Sequence, residues 1–191
     1  MDALTGLYNK KTGTEKATKA FNQAKETLNE DEAFCFMFLD IDNFGRFNKV
    51  YHSQVGDIVL RFVATCLKDV LRKNRGQFTY RFGGEEFGII IPKLILATSY
   101  KVPKIIYQDY LELFVARRSE LLAEIKSTSP TVMPPDDLLV TLSVGAYLID
   151  KENIQHTNFN YAKGQADAAQ VYVKAKGKNQ VQIIVNATVQ I

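Results

Sequence analysis

The sequence predicts one α+β domain in which helices pack against an antiparallel sheet. Its 191 residues suit a single hydrophobic core. Short apolar runs typical of strands alternate with longer segments whose apolar residues recur at helical spacing. Hydrophobic residues make up 46% of the chain and charged residues 24%, which is ordinary for a soluble globular protein.

The first half of the chain is expected to contain one buried strand and three helical segments. Apolar residues at helical spacing predict a helix over residues 10–29. The continuous apolar run 33–39 predicts a buried central strand that ends at Asp40. A short helix is predicted over 43–50, and a strong amphipathic pattern predicts a longer one over 56–71.

The second half begins with two strands, 78–82 and 87–91, joined by Gly83-Gly84-Glu85-Glu86, where paired glycines permit a tight hairpin. The remaining predicted segments are a helix over 103–126, a proline-containing loop over 127–137, a strand over 138–149, a helix over 161–174 and a strand over 181–185. The core order is therefore β-α-β-β-α-β. This is the ferredoxin-like plan, for which we expect the helices to cover one face of the sheet.

Charge and cysteine content narrow the class of protein. The formal net charge of +3 is too small to argue for a nucleic-acid or membrane partner. Cys35 and Cys66 lie in apolar runs without metal-ligand spacing, so we expect both to be reduced and buried. The start of the sequence shows no secretory leader, and no apolar run reaches the roughly 20 residues of a membrane span. We therefore expect a cytoplasmic domain belonging to a longer protein.

Acidic residues follow the buried strand and occupy the hairpin turn. Asp40 ends the strand at the rim of the sheet, and Glu85 and Glu86 lie on the turn of a neighbouring strand, so their carboxylates should converge. Magnesium prefers such oxygen ligands, and two metal ions can activate an attacking hydroxyl and stabilise a leaving pyrophosphate. A glycine-rich turn with two solvated glutamates is the alternative. Asp42 is interpreted as a cap of the helix that follows.

Six short motifs occur in order along residues 2–181. They are Asp2-Ala3-Leu4-Thr5-Gly6-Leu7-Tyr8-Asn9, Phe38-Leu39-Asp40-Ile41-Asp42-Asn43-Phe44, Val55-Gly56-Asp57-Ile58-Val59-Leu60, Arg81-Phe82-Gly83-Gly84-Glu85-Glu86-Phe87, Leu142-Ser143-Val144-Gly145, and Ala166-Asp167 with Lys174, Gly177 and Asn179. The fourth is similar to the GGEEF form of the signature of diguanylate cyclases, the GGDEF family. The others resemble that family's remaining motifs. The resemblance implies a palm-type, nucleotidyl cyclase-like domain over residues 1–191.

The resemblance also implies an activity. Enzymes of this family condense two GTP molecules into cyclic di-GMP and release pyrophosphate, with Mg²⁺ or Mn²⁺, across a transient homodimer. An N-terminal regulatory domain is expected in the full-length protein. A second hypothesis is a catalytically weak or inactive domain that binds GTP as a regulatory module. A third is a related palm cyclase that makes another cyclic nucleotide.

The resemblance implies a metal site and two catalytic residues. The metal ligands would be Asp40, the carbonyl of Ile41, Glu85 and Glu86. Glu85 and Glu86 would also be the catalytic residues, with Glu85 helping to deprotonate the ribose 3′-hydroxyl.

The resemblance further implies a nucleotide site. Asn48 and Asp57 would read the base, because a carboxylate accepts hydrogen bonds from both N1–H and N2–H of guanine; Asp57 as a helix N-cap is the alternative. Phosphate would lie against the backbone at Phe44 and Gly45, as expected at a helix start. The remaining phosphate ligands would be Lys174 and Lys178, although a lysine near a helix end is also a common solvated partner of the helix dipole.

Several positions depart from the family pattern. Gly45 stands where the family usually has a lysine that contacts the triphosphate, and Arg46 follows it. Lys178 replaces an arginine, which keeps the charge and loses the bidentate fork. Lys49, His52 and Ser53 stand where the family often has Asp, Gly and His.

Two longer segments also depart from the pattern. Asn74-Arg75-Gly76-Gln77 lies where many members carry an R-x-x-D product-binding motif, and it lacks both ends of that motif. We therefore expect no product inhibition through this segment. Residues 92–137 form a longer, divergent stretch that matches no motif of the family.

Overall fold

The computed structural model describes residues 1–72 and 76–188. The strands are β1 (Glu32–Ile41), β2 (Phe78–Gly83), β3 (Glu86–Ile95), β4 (Leu142–Asp150) and β5 (Gln180–Asn186). The helices within the described ranges are α1 (Lys10–Thr27), α2 (Phe44–Leu71), α3 (Leu96–Ser99), α4 (Val102–Thr128), α5 (Lys151–Ile154) and α6 (Phe159–Ala175). The α+β class predicted from the sequence is confirmed.

The five strands form one mixed sheet with the order β2-β3-β1-β4-β5. The first four are antiparallel to their neighbours, as the β-α-β-β-α-β order predicts. The fifth strand pairs in parallel with β4, so the sheet is not wholly antiparallel. The reason is the crossover through α6, which returns the chain to the same end of the sheet before β5 begins.

Helices cover both faces of the sheet, and the expectation of one covered face was wrong. On one face α2 and α4 pack against Cys35, Met37 and Leu39 of β1. On the other face α1 and α6 pack against the intervening Phe34, Phe36 and Phe38. Successive strand side chains point to opposite faces, so a strand buried on both sides has no polar alternation. The uninterrupted apolar run of β1 was the sequence signal for this arrangement.

The two cysteines behave as expected from their apolar surroundings. Cys35 and Cys66 are free thiols buried in the face that α2 covers. Burial raises the pKa of the Cys66 thiol to about 12, so it stays protonated and unreactive at neutral pH.

The two helices predicted over 43–50 and 56–71 form the single helix α2, which is kinked at His52. His52 has φ 69° and ψ 159°, a backbone region that is essentially reserved for glycine. Across the kink, the side chain of Asn48 packs directly on Gly56, and a Cβ at Gly56 would collide with Asn48 Oδ1. The kink therefore sets the first two turns of α2 against the start of its longer part.

Substituting His52 tests whether this kink is strained. His52→Gly should raise the free energy of unfolding by about 1 kcal/mol, because the strain of a side chain at positive φ exceeds the extra entropy of glycine in the unfolded chain. Thermal or urea unfolding measures the change. Ser53→Gly is the matched control, because Ser53 follows His52 but lies in ordinary helix. This substitution should lower the free energy of unfolding by roughly 0.5 kcal/mol. Equal destabilisation by both substitutions would show that His52 is not strained.

Candidate active site

Two acidic residues face each other at the rim of the sheet. Asp40, at the end of β1, is the register partner of Glu86, at the start of β3. The backbone N–H of Ile41 donates to the carbonyl of Glu85 at 3.2 Å. The predicted convergence of the β1 end with the hairpin is therefore present. The alternative was a glycine-rich turn with two solvated glutamates. Glu86 does not fit it, because this residue is partly buried beside Asp40.

Arg81 fixes the hairpin that carries the two glutamates. Its Nε and Nη2 donate to the carbonyl of Gly84 at 3.0 and 2.7 Å, and its Nη1 lies 3.2 Å from Asp2 Oδ1. Asp2 also accepts hydrogen bonds from the backbone and the hydroxyl of Thr5. Although burial opposes ionisation, these hydrogen bonds hold the pKa of Asp2 below its usual value. In the sequence, Asp2 and Arg81 stood out only as parts of two motifs. Their opposite charges were the feature that could have suggested this ion pair.

The charged forms of both rim carboxylates are disfavoured. Burial is the main cause that raises the pKa of Asp40, and Glu85 and Asp42 add repulsion. Burial also raises the pKa of Glu86, followed by repulsion from Asp40. Such a pair of acids creates a local excess of negative charge that favours a cation.

Lys174 supplies the cation closest to Asp40. Its Nζ lies 2.7 Å from Asp40 Oδ2, and the side chain of Asp40 is only 6% exposed. The ion pair opposes the rise in the pKa of Asp40. Lys174 was predicted to bind phosphate or to be a solvated partner of the helix dipole, and in the structure it forms an ion pair with Asp40, the first metal-ligand candidate.

The carboxylates suit a divalent ion that is bound together with a nucleotide. Within residues 1–72 and 76–188, no three His, Cys, Asp or Glu side chains are grouped closely enough to hold a metal by themselves. Magnesium usually takes one or two protein carboxylates and completes its shell with water and substrate phosphate. The pair of Asp40 and Glu86 fits that pattern, with Glu85 and the Ile41 carbonyl on the adjoining backbone.

The residues predicted to read the base lie on either side of the kink of α2. Asn48 packs on Gly56, the neighbour of Asp57. Asn48 Oδ1 is buried and has no hydrogen-bond partner among the described residues, which is unusual for a buried polar atom. Asp57 is exposed and lies inside α2, so it is not the N-cap that the alternative interpretation required.

The start of α2 is open to an anion. Asn43 precedes the helix with φ 60°, and its side chain makes no capping hydrogen bond. Phe44 is buried, whereas Gly45 is exposed and a Cβ there would meet nothing within 4 Å. Lys178 Nζ donates to Asn43 Oδ1 at 2.6 Å, which puts its charge beside the first turn of the helix.

Arg46, which follows Gly45, lines a cavity of about 430 Å³ that lies between α2 and residues 138–141. The lining also includes Asn43 and Phe44, so Arg46 borders the same start of α2 that Lys178 approaches. Arg46 is therefore a second cationic side chain near this end of the helix.

Asp42 is not a helix cap, contrary to the sequence interpretation. Its Oδ2 accepts hydrogen bonds from the Thr141 hydroxyl at 2.7 Å and from the backbone N–H of Asn179 at 2.9 Å. Its Oδ1 accepts from the Ser143 hydroxyl at 2.6 Å. Asp42 therefore joins the end of β1 to the beginnings of β4 and β5. These partners are far away in sequence, and no local pattern could have revealed them.

One sequence observation lies beyond what the structure describes. Asn74 and Arg75, at the position of the R-x-x-D motif, fall outside the described residues.

Among the helices of the described ranges, none combines the length and the apolar character needed to cross a membrane.

Comparison with known proteins gives a consistent family assignment. A family model for the diguanylate cyclase GGDEF domain matches residues 1–180. The uncharacterized protein YhcK of Bacillus subtilis is 31% identical over 146 residues, which cover 76% of this chain and 35% of YhcK. The probable diguanylate cyclase DgcT of Escherichia coli is 27% identical over 180 residues, covering 94% of this chain and 34% of DgcT. The chain thus spans about a third of the length of these curated relatives.

Solved structures show the same fold. The GGDEF domain of DgcB from Caulobacter crescentus, in complex with c-di-GMP, is 26% identical with a TM-score of 0.67, covering 96% of this chain and 94% of that one. The active GGEEF domain of a diguanylate cyclase from Vibrio cholerae is 22% identical with a TM-score of 0.63, covering 93% and 97%, and this likeness concerns the fold alone. Because the family model spans nearly the whole chain, the chain belongs to the GGDEF family of diguanylate cyclase domains.

Proposed function

We propose that this domain is a diguanylate cyclase, which condenses two GTP molecules into cyclic di-GMP and releases two pyrophosphates. The observation that carries the proposal is the buried Asp40 carboxylate, paired in register with Glu86 and held 2.7 Å from Lys174. Carboxylates whose pKa is raised by burial and by repulsion from neighbouring carboxylates are costly, and such groups concentrate at functional sites. Family membership supplies the class of reaction.

Asp40, Glu86, Glu85 and the Ile41 carbonyl are the residues that would hold Mg²⁺ or Mn²⁺. The metal would neutralise the charge of the triphosphate and of the leaving pyrophosphate. Lys174 is available to bind phosphate once Asp40 has another cationic partner. Its partial exposure leaves the side chain free to make this exchange.

The same geometry supports the assignment of the base and phosphate contacts. Asn48 and Asp57 would bind the guanine edge, and this contact would satisfy the buried Asn48 Oδ1. The uncapped backbone N–H groups at Phe44 and Gly45 would bind phosphate, with Lys178 beside them.

Bond formation would then follow from positioning. The 3′-oxygen of one GTP attacks the α-phosphorus of the other, its proton passes to Glu85, and pyrophosphate leaves. One site holds one GTP but the product joins two, so two copies of the domain must meet about a two-fold axis. A transient homodimer satisfies this requirement. A GTP substrate and two buried, reduced cysteines also fit a cytoplasmic location.

The alternative function is a domain that binds GTP and regulates a neighbour without turnover. Gly45 favours it, because the exposed start of α2 carries no cationic side chain at the position where the family usually has one. The paired Asp40 and Glu86 favour the enzyme, since a binding module has less need of two destabilised carboxylates.

Product analysis distinguishes the two functions and tests the base assignment. Incubation with Mg²⁺ and GTP should yield cyclic di-GMP and pyrophosphate, and ATP should yield neither. Asp57→Ala should weaken the preference for GTP over ATP by roughly 1–3 kcal/mol in binding, because the guanine donors lose their acceptor. GTP binding without product would favour the regulatory module, and equal affinity of the parent protein for GTP and ATP would contradict the base assignment.

Asp40→Asn should separate activity from stability. Turnover should fall by roughly a hundredfold or more. The raised pKa of Asp40 means that its charged form is less favourable in the folded chain than in the unfolded one, so its cost applies above the folded-state pKa. Thermal unfolding at pH 7 should therefore give an unchanged or higher Tm for the variant, and this difference should shrink as the pH falls through the pKa of Asp40.

Glu32→Gln is the matched control at the other end of β1. Hydrogen bonding to Lys93 lowers the pKa of Glu32, so its charge stabilises the fold above the unfolded-state pKa, and this contribution is lost as the pH falls through the folded-state pKa. This variant should keep full turnover and lose a little stability at pH 7. Full turnover in Asp40→Asn would remove Asp40 from the site.

Gly45→Lys should strengthen substrate binding. Open space surrounds Gly45, so a lysine side chain fits and places a cation beside the start of α2. We expect the KM for GTP to fall by roughly three- to tenfold, the scale of one charge-assisted hydrogen bond. Gly45→Ala controls for the higher helix propensity of any non-glycine residue and should leave KM unchanged. The same KM in both variants would show that phosphate does not lie at this helix start.

A further inference from the structure

A tyrosine of the divergent segment reaches the turn that carries Lys178. Tyr107 lies on α4, within the 92–137 stretch that matches none of the family motifs. Its hydroxyl donates to Asn179 Oδ1 at 2.7 Å and accepts from the backbone N–H of Leu142 at 3.0 Å. Tyr107 therefore joins α4 to the start of β4 and to the turn before β5.

That turn has an unfavourable backbone conformation. Gly177, Lys178 and Asn179 have φ values of 111°, 66° and 49°, and two of these residues are not glycine. Positive φ costs free energy for residues with a Cβ, so the turn persists only where other contacts hold it. Its other anchors are the hydrogen bonds from the Asn179 N–H to Asp42 and from the Lys178 N–H to the carbonyl of Val173.

The turn decides where the Lys178 ammonium lies. Lys178 Nζ donates to Asn43 Oδ1 at 2.6 Å, at the start of α2. The adjoining Gly45 brings no charge of its own, and Arg46 lines the neighbouring cavity together with Asn43 and Phe44. Lys178 is therefore the cationic side chain that the turn holds on Asn43, with Arg46 nearby.

We propose that Tyr107 is a positioning residue for the triphosphate, which holds Asn179 and, through this turn, holds Lys178 at the start of α2. The inference rests on the proposed function, because it takes GTP phosphate as the ligand of Lys178. It gives the divergent helix α4 a part in substrate binding that acts through Asn179 and Lys178.

Tyr107 is suited to this part by its own surroundings. Burial raises its pKa to about 12, so its hydroxyl remains a donor at any pH at which the protein works. Its ring stacks on that of Tyr110, with centroids 6.1 Å apart and planes at 11°. Tyr110 is fully buried, which fixes the neighbouring ring within the core.

Tyr110 also provides a matched control. Its hydroxyl donates to the carbonyl of Val140 at 2.8 Å, which is one hydrogen bond from the same helix to the segment before β4. Tyr110→Phe removes a bond of the same kind without a contact to the turn. Any effect on stability alone should therefore appear in both variants.

The experiment compares Tyr107→Phe, Tyr110→Phe and the parent protein, each also in a Lys178→Met background. GTP binding with Mg²⁺ is measured by calorimetry, and KM and kcat are measured by pyrophosphate release. Tyr107→Phe removes the hydrogen bonds to Asn179 and Leu142, and the loss of the Asn179 bond should raise Kd and KM by roughly three- to tenfold with little change in kcat. Tyr110→Phe should leave both constants unchanged, and Tyr107→Phe should have no further effect in the Lys178→Met background.

Two results would overturn the inference: equal constants for the two phenylalanine variants, or a Tyr107 effect that persists without Lys178. Hydrogen exchange of the Lys178 and Asn179 amides gives a readout that needs no nucleotide, and Tyr107→Phe should speed it more than Tyr110→Phe does. If the parent protein does not bind GTP, the proposed function fails. The exchange result then still decides whether Tyr107 holds the turn.

Discussion

The burial of the Asp40 carboxylate at the end of β1 is the constraint on which the rest of the site depends. The surrounding strands and helices remove water from this group and so disfavour its charge. The ammonium of Lys174, which lies on α6 far along the chain, forms an ion pair with this carboxylate. The rim therefore combines a carboxylate whose charged form is disfavoured by burial with a partly exposed cation that opposes this effect. Groups held at such a cost in stability are common at active sites.

Much of the fold followed from local patterns in the sequence. The continuous apolar run of β1, its terminal Asp40 and the paired glycines of the hairpin predicted a buried strand beside a tight turn, and the structure has both. Helical periodicity located the longer helices to within a few residues. The same apolar run implied helices on both faces, whereas the β-α-β-β-α-β order by itself predicts helices on one face.

The supporting contacts of the site could not be predicted, because they join distant parts of the chain. Asp42 meets Ser143 and Asn179, and Tyr107 meets Asn179, through hydrogen bonds that no periodicity encodes. The two helices predicted over 43–50 and 56–71 left a gap around His52, but the sequence did not show that the structure joins them as one kinked helix. The sequence shows histidine where the family often has glycine. The free-energy cost of this histidine depends on its positive φ, which only the structure provides.

The order of residues along the chain separates the acidic rim from its cations. Asp40 and the hairpin glutamates belong to the first half of the chain, whereas Lys174 and Lys178 lie just before β5. The turn that carries Lys178 is held by Asp42, by Tyr107 and by the pairing of β5 with β4, so its position depends on contacts with three separate parts of the fold. A chain that ended before residue 174 would therefore keep the acidic residues of the rim and lack both lysines.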